Sequence, residues 1–186
     1  MTSLSPPEER TLLHRRTVEC HGYLRHDGDF DIEARVTDCK DYEATMIDGR
    51  TLGKGEPWHE MALRLCVDRN FLIRAAEART IHGPQAECGA IAASYDRLVG
   101  LTIGPGFSST VRAMFSGPAG CTHITELLGP IATTAYQTIS GHHLAGKGVA
   151  GWNAPEIRQM ASTLIDSCHV WRADGSVVAR HYPELK

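Results

Sequence analysis

Between Gly120 and Leu128 the chain reads Gly-Cys-Thr-His-Ile-Thr-Glu-Leu-Leu, so a thiol, an imidazole and a carboxylate fall within six residues at the expected start of a helix. On a helix, His123 and Glu126 are three residues apart and share a face. Both can then reach one metal ion, or the carboxylate can orient the imidazole. Cys121 lies near the helix N-terminus, where the peptide dipoles favour thiolate over thiol. The plainer alternative is that Cys121 packs as a small apolar group while His123 and Glu126 cap the helix or face water. Two further positions stand out. His59 has the same parity as Met61, Leu63 and Leu65 and so points toward the core, where a histidine is commonly a hydrogen-bonded structural group. Cys88 follows the Gly83-Pro84 turn at the head of an Ala-rich segment, where a cysteine is usually packing. Among the cations, Arg16, Lys40 and Arg64 are those able to face such a site and hold a carboxylate or phenolate, with Asp38 and Glu33 available to keep them in position.

Alternating strands must position these groups. Phe30, Ile32, Ala34 and Val36 alternate with polar residues, which marks a half-buried strand, and Asp27-Gly28 turns it against residues 15–25. Met61, Leu63, Leu65 and Val67 repeat the pattern, and Asp68-Arg69-Asn70 turns the chain into 71–80. The first eighty residues therefore predict a four-stranded antiparallel meander with one solvated face. The period then changes. Helices are expected over 88–99, ending at Gly100, over 105–115, over 121–139 with a bend or break at Pro130, and from an Asn153–Glu156 capping box to about 167. A closing hairpin is expected at Asp174-Gly175. Strands followed by helices predict an α+β fold, an antiparallel meander with helices packed on one face. Residues 1–10 read as a disordered lead-in and 11–186 as one domain.

At 186 residues and a formal charge of −3, the composition points to no nucleic-acid footprint and no membrane surface. The N-terminus lacks the order of a secretion signal, and the six cysteines are irregularly spaced. They read as reduced, in a cytoplasmic protein. His21, His26 and His181, beside charges and turns, are expected to be exposed.

Residues 60–68, 73–80, 88–94, 98–102 and Cys121 follow one another in an order that resembles the NifU/IscU and SufE layout: a strand pair, a cysteine before a small-residue helix, a Gly-x-Thr turn, and a last cysteine opening a long helix. The resemblance implies ligand positions at Cys88 and Cys121, with His59 where those scaffolds carry their first cysteine. More of the chain resembles a bacterial family known only as a domain of unknown function. That likeness rests on Leu13-His14-Arg15-Arg16, Gly22-Tyr23-x-Arg25-x-Asp27-Gly28, Asp31-Ile32-Glu33, Asp38-x-Lys40, Gly55-Glu56-Pro57-x-His59, Gly104-Pro105-Gly106 and Gly120-Cys121-Thr122-His123-x-x-Glu126-Leu127-Leu128. It suggests a place in aromatic-compound catabolism.

The expected function is a metal-dependent enzyme, a lyase before a hydrolase, acting on a small hydroxylated or aromatic molecule and able to release an aldehyde. His59 (or His123), Cys88 and Cys121 would bind Zn²⁺ or Fe²⁺, with one position left for substrate or water. Glu126 or His123 would act as the base. The alternatives are a non-catalytic iron–sulfur or zinc scaffold, and a cofactor-free cysteine enzyme using Cys121. The expected partners are a small-molecule substrate and, through the closing hairpin, a second copy of the chain.

Overall fold

The structure, a computed structural model, describes residues 5–185, without the side chain of Val149. Of the expected disordered lead-in, residues 1–4 lie outside the described residues, and 5–10 are exposed and irregular. The sheet is the predicted meander. Strands β1 (His14–Leu24), β2 (Phe30–Lys40), β5 (Pro57–Val67) and β6 (Ile73–His82) pair antiparallel in the order β1-β2-β5-β6. A two-residue ladder of β3 (Ala44–Thr45) and β4 (Thr51–Leu52) fills the connection between β2 and β5. The Asp27-Gly28 turn places Gly28 at φ 92, a conformation a glycine adopts without a Cβ clash. At the β5–β6 turn the Asp68 carboxylate accepts the backbone N–H groups of Asn70 and Leu72.

One face of the sheet is dry. Phe30, Ile32, Ala34 and Val36 of β2 and Met61, Leu63, Leu65 and Val67 of β5 are all buried. Helix α2 (Thr122–Leu144) lies across this face and buries Ile124, Leu127, Leu128, Ile131, Ala135 and Ile139 against it, an apolar stripe at helical spacing. Helix α1 (Phe107–Met114) packs beside it, and α3 (Pro155–Ser162) and α4 (Ser176–His181) follow. The other face carries ion pairs such as Arg64 with Glu77 and Arg35 with Glu60. The fold is α+β, with helices on one side of an antiparallel sheet.

Several helical expectations change. Residues 88–99 form two 3₁₀ segments, Ala86–Gly89 and Ala92–Leu98, in place of one α-helix. The buried residues Ala92, Tyr95 and Leu98 recur every third position, the period of a 3₁₀ turn. Helix α2 continues through Pro130 to Leu144. Asn153 does not cap α3. The helix starts at Pro155 behind Ala154 and ends at Ser162, while the Asn153 side chain accepts from Arg158. The closing hairpin is absent: Asp174-Gly175 leads into α4, because Val178 and Tyr182, four residues apart, are both buried on one side of a helical turn. His21, His26 and His181 are exposed and all six cysteines are free. No helix among the described residues is long and apolar enough to cross a membrane.

α2 packs tightly on β1 at Gly22. A Cβ placed there would collide with the Thr138 side chain, whose hydroxyl already donates to the Thr134 carbonyl. Gly22→Ala should therefore overpack this contact and lower stability by about 1–3 kcal/mol, read as a reduced urea midpoint with an unchanged slope.

Candidate functional site

The dry row of β2 does not end at Val36. Its next member is Asp38, only 2% exposed, where apolar packing gives way to polar groups. The register of β2 with β5 runs unbroken from Phe30–Val67 to Asp38–His59, so His59 lies level with Asp38 and on the same face, and the bulge at Trp58 comes only beyond that pair. On the other side Arg16 of β1 is the register partner of Asp38. The first turn of α2 covers this rim with His123 and Glu126. Three strands and a helix end thus converge on one buried carboxylate.

Arg16 grips Asp38 with a fork: Nε donates to Oδ1 at 2.8 Å and Nη2 to Oδ2 at 2.7 Å. Its remaining Nη1 donates to Glu126 Oε2 at 2.6 Å. His14 Nε2 lies 3.0 Å from Oδ1, His123 Nε2 3.3 Å from Oδ2, and His59 Nδ1 3.8 Å from Oδ2. The His59 and His123 rings stack, with centroids 4.0 Å apart. The hydrogen bonds from Arg16 hold the Asp38 carboxyl below the usual carboxylate range, reinforced by the charges of Arg16, His123 and His14 and opposed by burial. Burial pushes the His59 imidazole down, as do the neighbouring charges of His123, Arg16 and Lys40, with Asp38 opposing. A neutral His59 beside an ionised Asp38 is the state in which both can act as ligand or proton acceptor.

Among the described residues, Asp38, His59 and His123 form the group whose ligating atoms all lie within 4.8 Å of one another. The expected residues divide accordingly. Arg16, His59 and His123 meet at the cluster, and Glu126 joins its solvent edge through Arg16. Lys40 sits beside it, its ammonium 5.4 Å from the centre of the Trp58 ring. Arg64 is on the opposite, solvated face with Glu77 and Glu33, because it has the parity opposite to Leu63 and Leu65. Neither cysteine thiol belongs to the group. Cys88 lies in a 3₁₀ segment against Gly83, and Thr80 donates to its carbonyl. Cys121 is the N-cap residue of α2 and joins the Tyr95 hydroxyl through its backbone N–H and C=O. Asp38 as a convergence point, and His14, were not singled out from sequence. The signal for Asp38 was available, since it continues the 30-32-34-36 row.

Removing Arg16 would leave the buried carboxylate without its two strongest donors. Arg16→Ala should cost about 1–3 kcal/mol of stability at neutral pH. Arg16→Lys should recover only part of it, because an ammonium cannot reproduce the fork. Urea unfolding of the three proteins checks both expectations.

Neither a curated protein nor a solved structure matches this chain, and nothing besides residue order supports the NifU/IscU or SufE likeness. A family model does match, over residues 14–137, a span that runs from the first residue of β1 into α2 and holds every member of the Asp38 cluster. The chain belongs to the family described as "Protein of unknown function (DUF2889)".

Proposed function

We propose that the protein is a metal-dependent enzyme in which Asp38, His59 and His123 hold one divalent cation, Zn²⁺ or Fe²⁺, and that it is a lyase for a small hydroxylated or aromatic substrate. The observation that carries this reading is the convergence of two imidazoles and a buried carboxylate from three separate elements. The set replaces the expected His59, Cys88 and Cys121. Two histidines and one carboxylate form the donor set of open catalytic zinc and non-haem iron sites. The spacings of 3.3 and 3.8 Å from Asp38 Oδ2 are near the separation, about 3.4 Å, of two atoms that each lie about 2.1 Å from one tetrahedral centre. The donors therefore fit such an ion.

When bound, the ion would polarise a substrate oxygen and stabilise negative charge as it develops there. The chain supplies the rest. Arg16 and His14 fix the carboxylate of Asp38 and keep it ionised, the role that outer-shell partners of a ligand commonly fill. The Arg16–Glu126 contact is half exposed, with 38% and 51% of the two side chains accessible. A substrate carboxylate or phenolate can displace Glu126 from Arg16 Nη1, which leaves Glu126 free to take a proton. Lys40 adds a second cation on the same side. Such an arrangement suits removal of a proton beside an oxygen and cleavage of an adjacent carbon–carbon or carbon–oxygen bond.

A second reading is favoured by one observation: both oxygens of Asp38 already accept hydrogen bonds from Arg16. On that reading Asp38 orients His123 and His59 as a metal-free acid–base pair.

Metal analysis of protein purified aerobically and anaerobically separates the two. About one Zn or Fe per chain is expected, lost in His59→Ala and His123→Ala and retained in Cys88→Ala and Cys121→Ala. Protein that stays metal-free after incubation with either ion rejects the metal reading. Absence of aldehyde or alkene release from a panel of hydroxylated aromatic compounds, with metal bound, rejects the lyase.

A further inference from the structure

Strand β1 is an edge. The opposite edge, β6, is covered at its start, where Ile73 exchanges backbone hydrogen bonds with Gly100 and Leu101 and Leu72 bridges to Thr102. The free side of β1 has no such cover among the described residues. The hydrogen bonds of Arg25 with Asp29 and of Asp41 with Leu13 assign the odd-numbered residues of β1 to the ladder with β2. The N–H and C=O groups of His14, Arg16, Val18, Cys20 and Gly22 therefore point outward. An eleven-residue edge left open in this way is a template for another strand.

Its apolar residues identify the strand. Among the described residues, five of the eleven exposed large hydrophobic ones lie between positions 12 and 24: Leu12, Leu13, Val18, Tyr23 and Leu24. They are placed symmetrically about Val18. An antiparallel pairing centred there sets Val18 against the partner's Val18, Leu12 against the partner's Leu24, and Leu13 against the partner's Tyr23. The same pairing puts Arg15 diagonal to the partner's Glu19, within reach of long side chains. Neither Arg15 nor Glu19 has an ion-pair partner among the described residues. The neighbouring registers lose the apolar match, although centring on residue 17 would set Arg15 directly opposite the partner's Glu19. Centring on residue 19 sets Glu19 against itself, and centring on residue 17 sets Tyr23 and Leu24 against the partner's Thr11 and Arg10.

We infer that the protein is a homodimer joined through β1, with two four-stranded sheets continuing as one eight-stranded antiparallel sheet about a two-fold axis at Val18. A second copy is the occupant because the apolar residues of the edge match themselves in one register, in which Arg15 and Glu19 of the two copies also come within reach. The outer side of α2 supports the pairing. Next to the residues that contact β1, and beyond Glu126 of its N-terminal end, it presents Pro130, Thr133, Gln137 and Gly141, all uncharged and exposed to a partner helix on the same side of the joined sheet. His14 and Arg16 lie inside the paired stretch, opposite the partner's Gly22 and Cys20, so the second copy walls the Asp38 cluster on its open side.

Sedimentation equilibrium of the full chain is expected to give twice the 20.3 kDa chain mass. Val18→Pro removes an outward N–H that no bond within the chain uses, so it should weaken association by about tenfold or more while far-UV circular dichroism stays unchanged. The double variant Thr17→Cys/Glu19→Cys tests the register without depending on that variant's folding. On oxidation it should form an interchain bridge from Cys at 17 to Cys at 19, mapped by peptide mass. A monomer at the highest concentration the protein tolerates, or a dimer in which no 17-to-19 bridge forms, overturns the inference.

Discussion

A carboxylate removed from water must be compensated, and the compensation of Asp38 ties the molecule together at one end. Transfer of an ionised group into a dry interior costs several kcal/mol unless opposite charge and hydrogen bonds replace the lost hydration. Asp38 lies on the buried face of β2, so its partners have to come from the neighbouring elements. Arg16 and His14 arrive from β1, His59 from β5 and His123 from α2, and Glu126 is held through the third nitrogen of Arg16. Each contact also restrains the element that supplies it. The position of the α2 N-terminus over the sheet is in this sense an electrostatic consequence as much as a packing one.

The remainder of the helix is positioned by apolar burial. From Ile124 to Ile139 its inner stripe fills the trough above β2 and β5, and at Gly22 the missing side chain lets it come close to β1. The ladder of β2 with β5 is regular up to the cluster, while that of β5 with β6 shifts at Glu60/Met61 and again at Cys66/Val67. His59 continues the inward row of Met61 and Leu63 in regular register with Asp38, and the bulge at Trp58 follows just beyond that pair.

Structural and chemical roles meet in the same atoms. The Arg16 fork keeps Asp38 ionised and immobile, and a ligand or an orienting base needs both properties. The stacked imidazoles lie at the boundary between core and solvent, where burial and neighbouring charges push the His59 imidazole down. Glu126 and Lys40 flank the cluster, Glu126 on its solvent side. The apolar core holds this arrangement from below, and the family match covers both together.

The strands were legible from residue order because a half-buried strand writes its burial into every second residue. Rows 30-32-34-36 and 61-63-65-67, with turns at Asp27-Gly28 and Asp68–Asn70, determine the meander and the inward direction of His59. The heptapeptide after Gly120 likewise marks the start of the long helix. The residues that meet were decided elsewhere. Cys88 and Cys121 have the chemistry of ligands, yet their placement depends on 3₁₀ turns and on Tyr95, which draws the backbone of Cys121 to its hydroxyl. Arg64 was assigned by its charge, whereas strand parity sends it to the far face. The segment after Asp174 carries a hairpin's turn residues and folds as a helix because Val178 and Tyr182 find burial four residues apart. Periodicity reports which way a side chain faces within its own element, a local property the sequence determines alone. The meeting of Asp38, His59 and His123 depends on inter-strand register and the seat of a helix, and these exist only once the chain is packed.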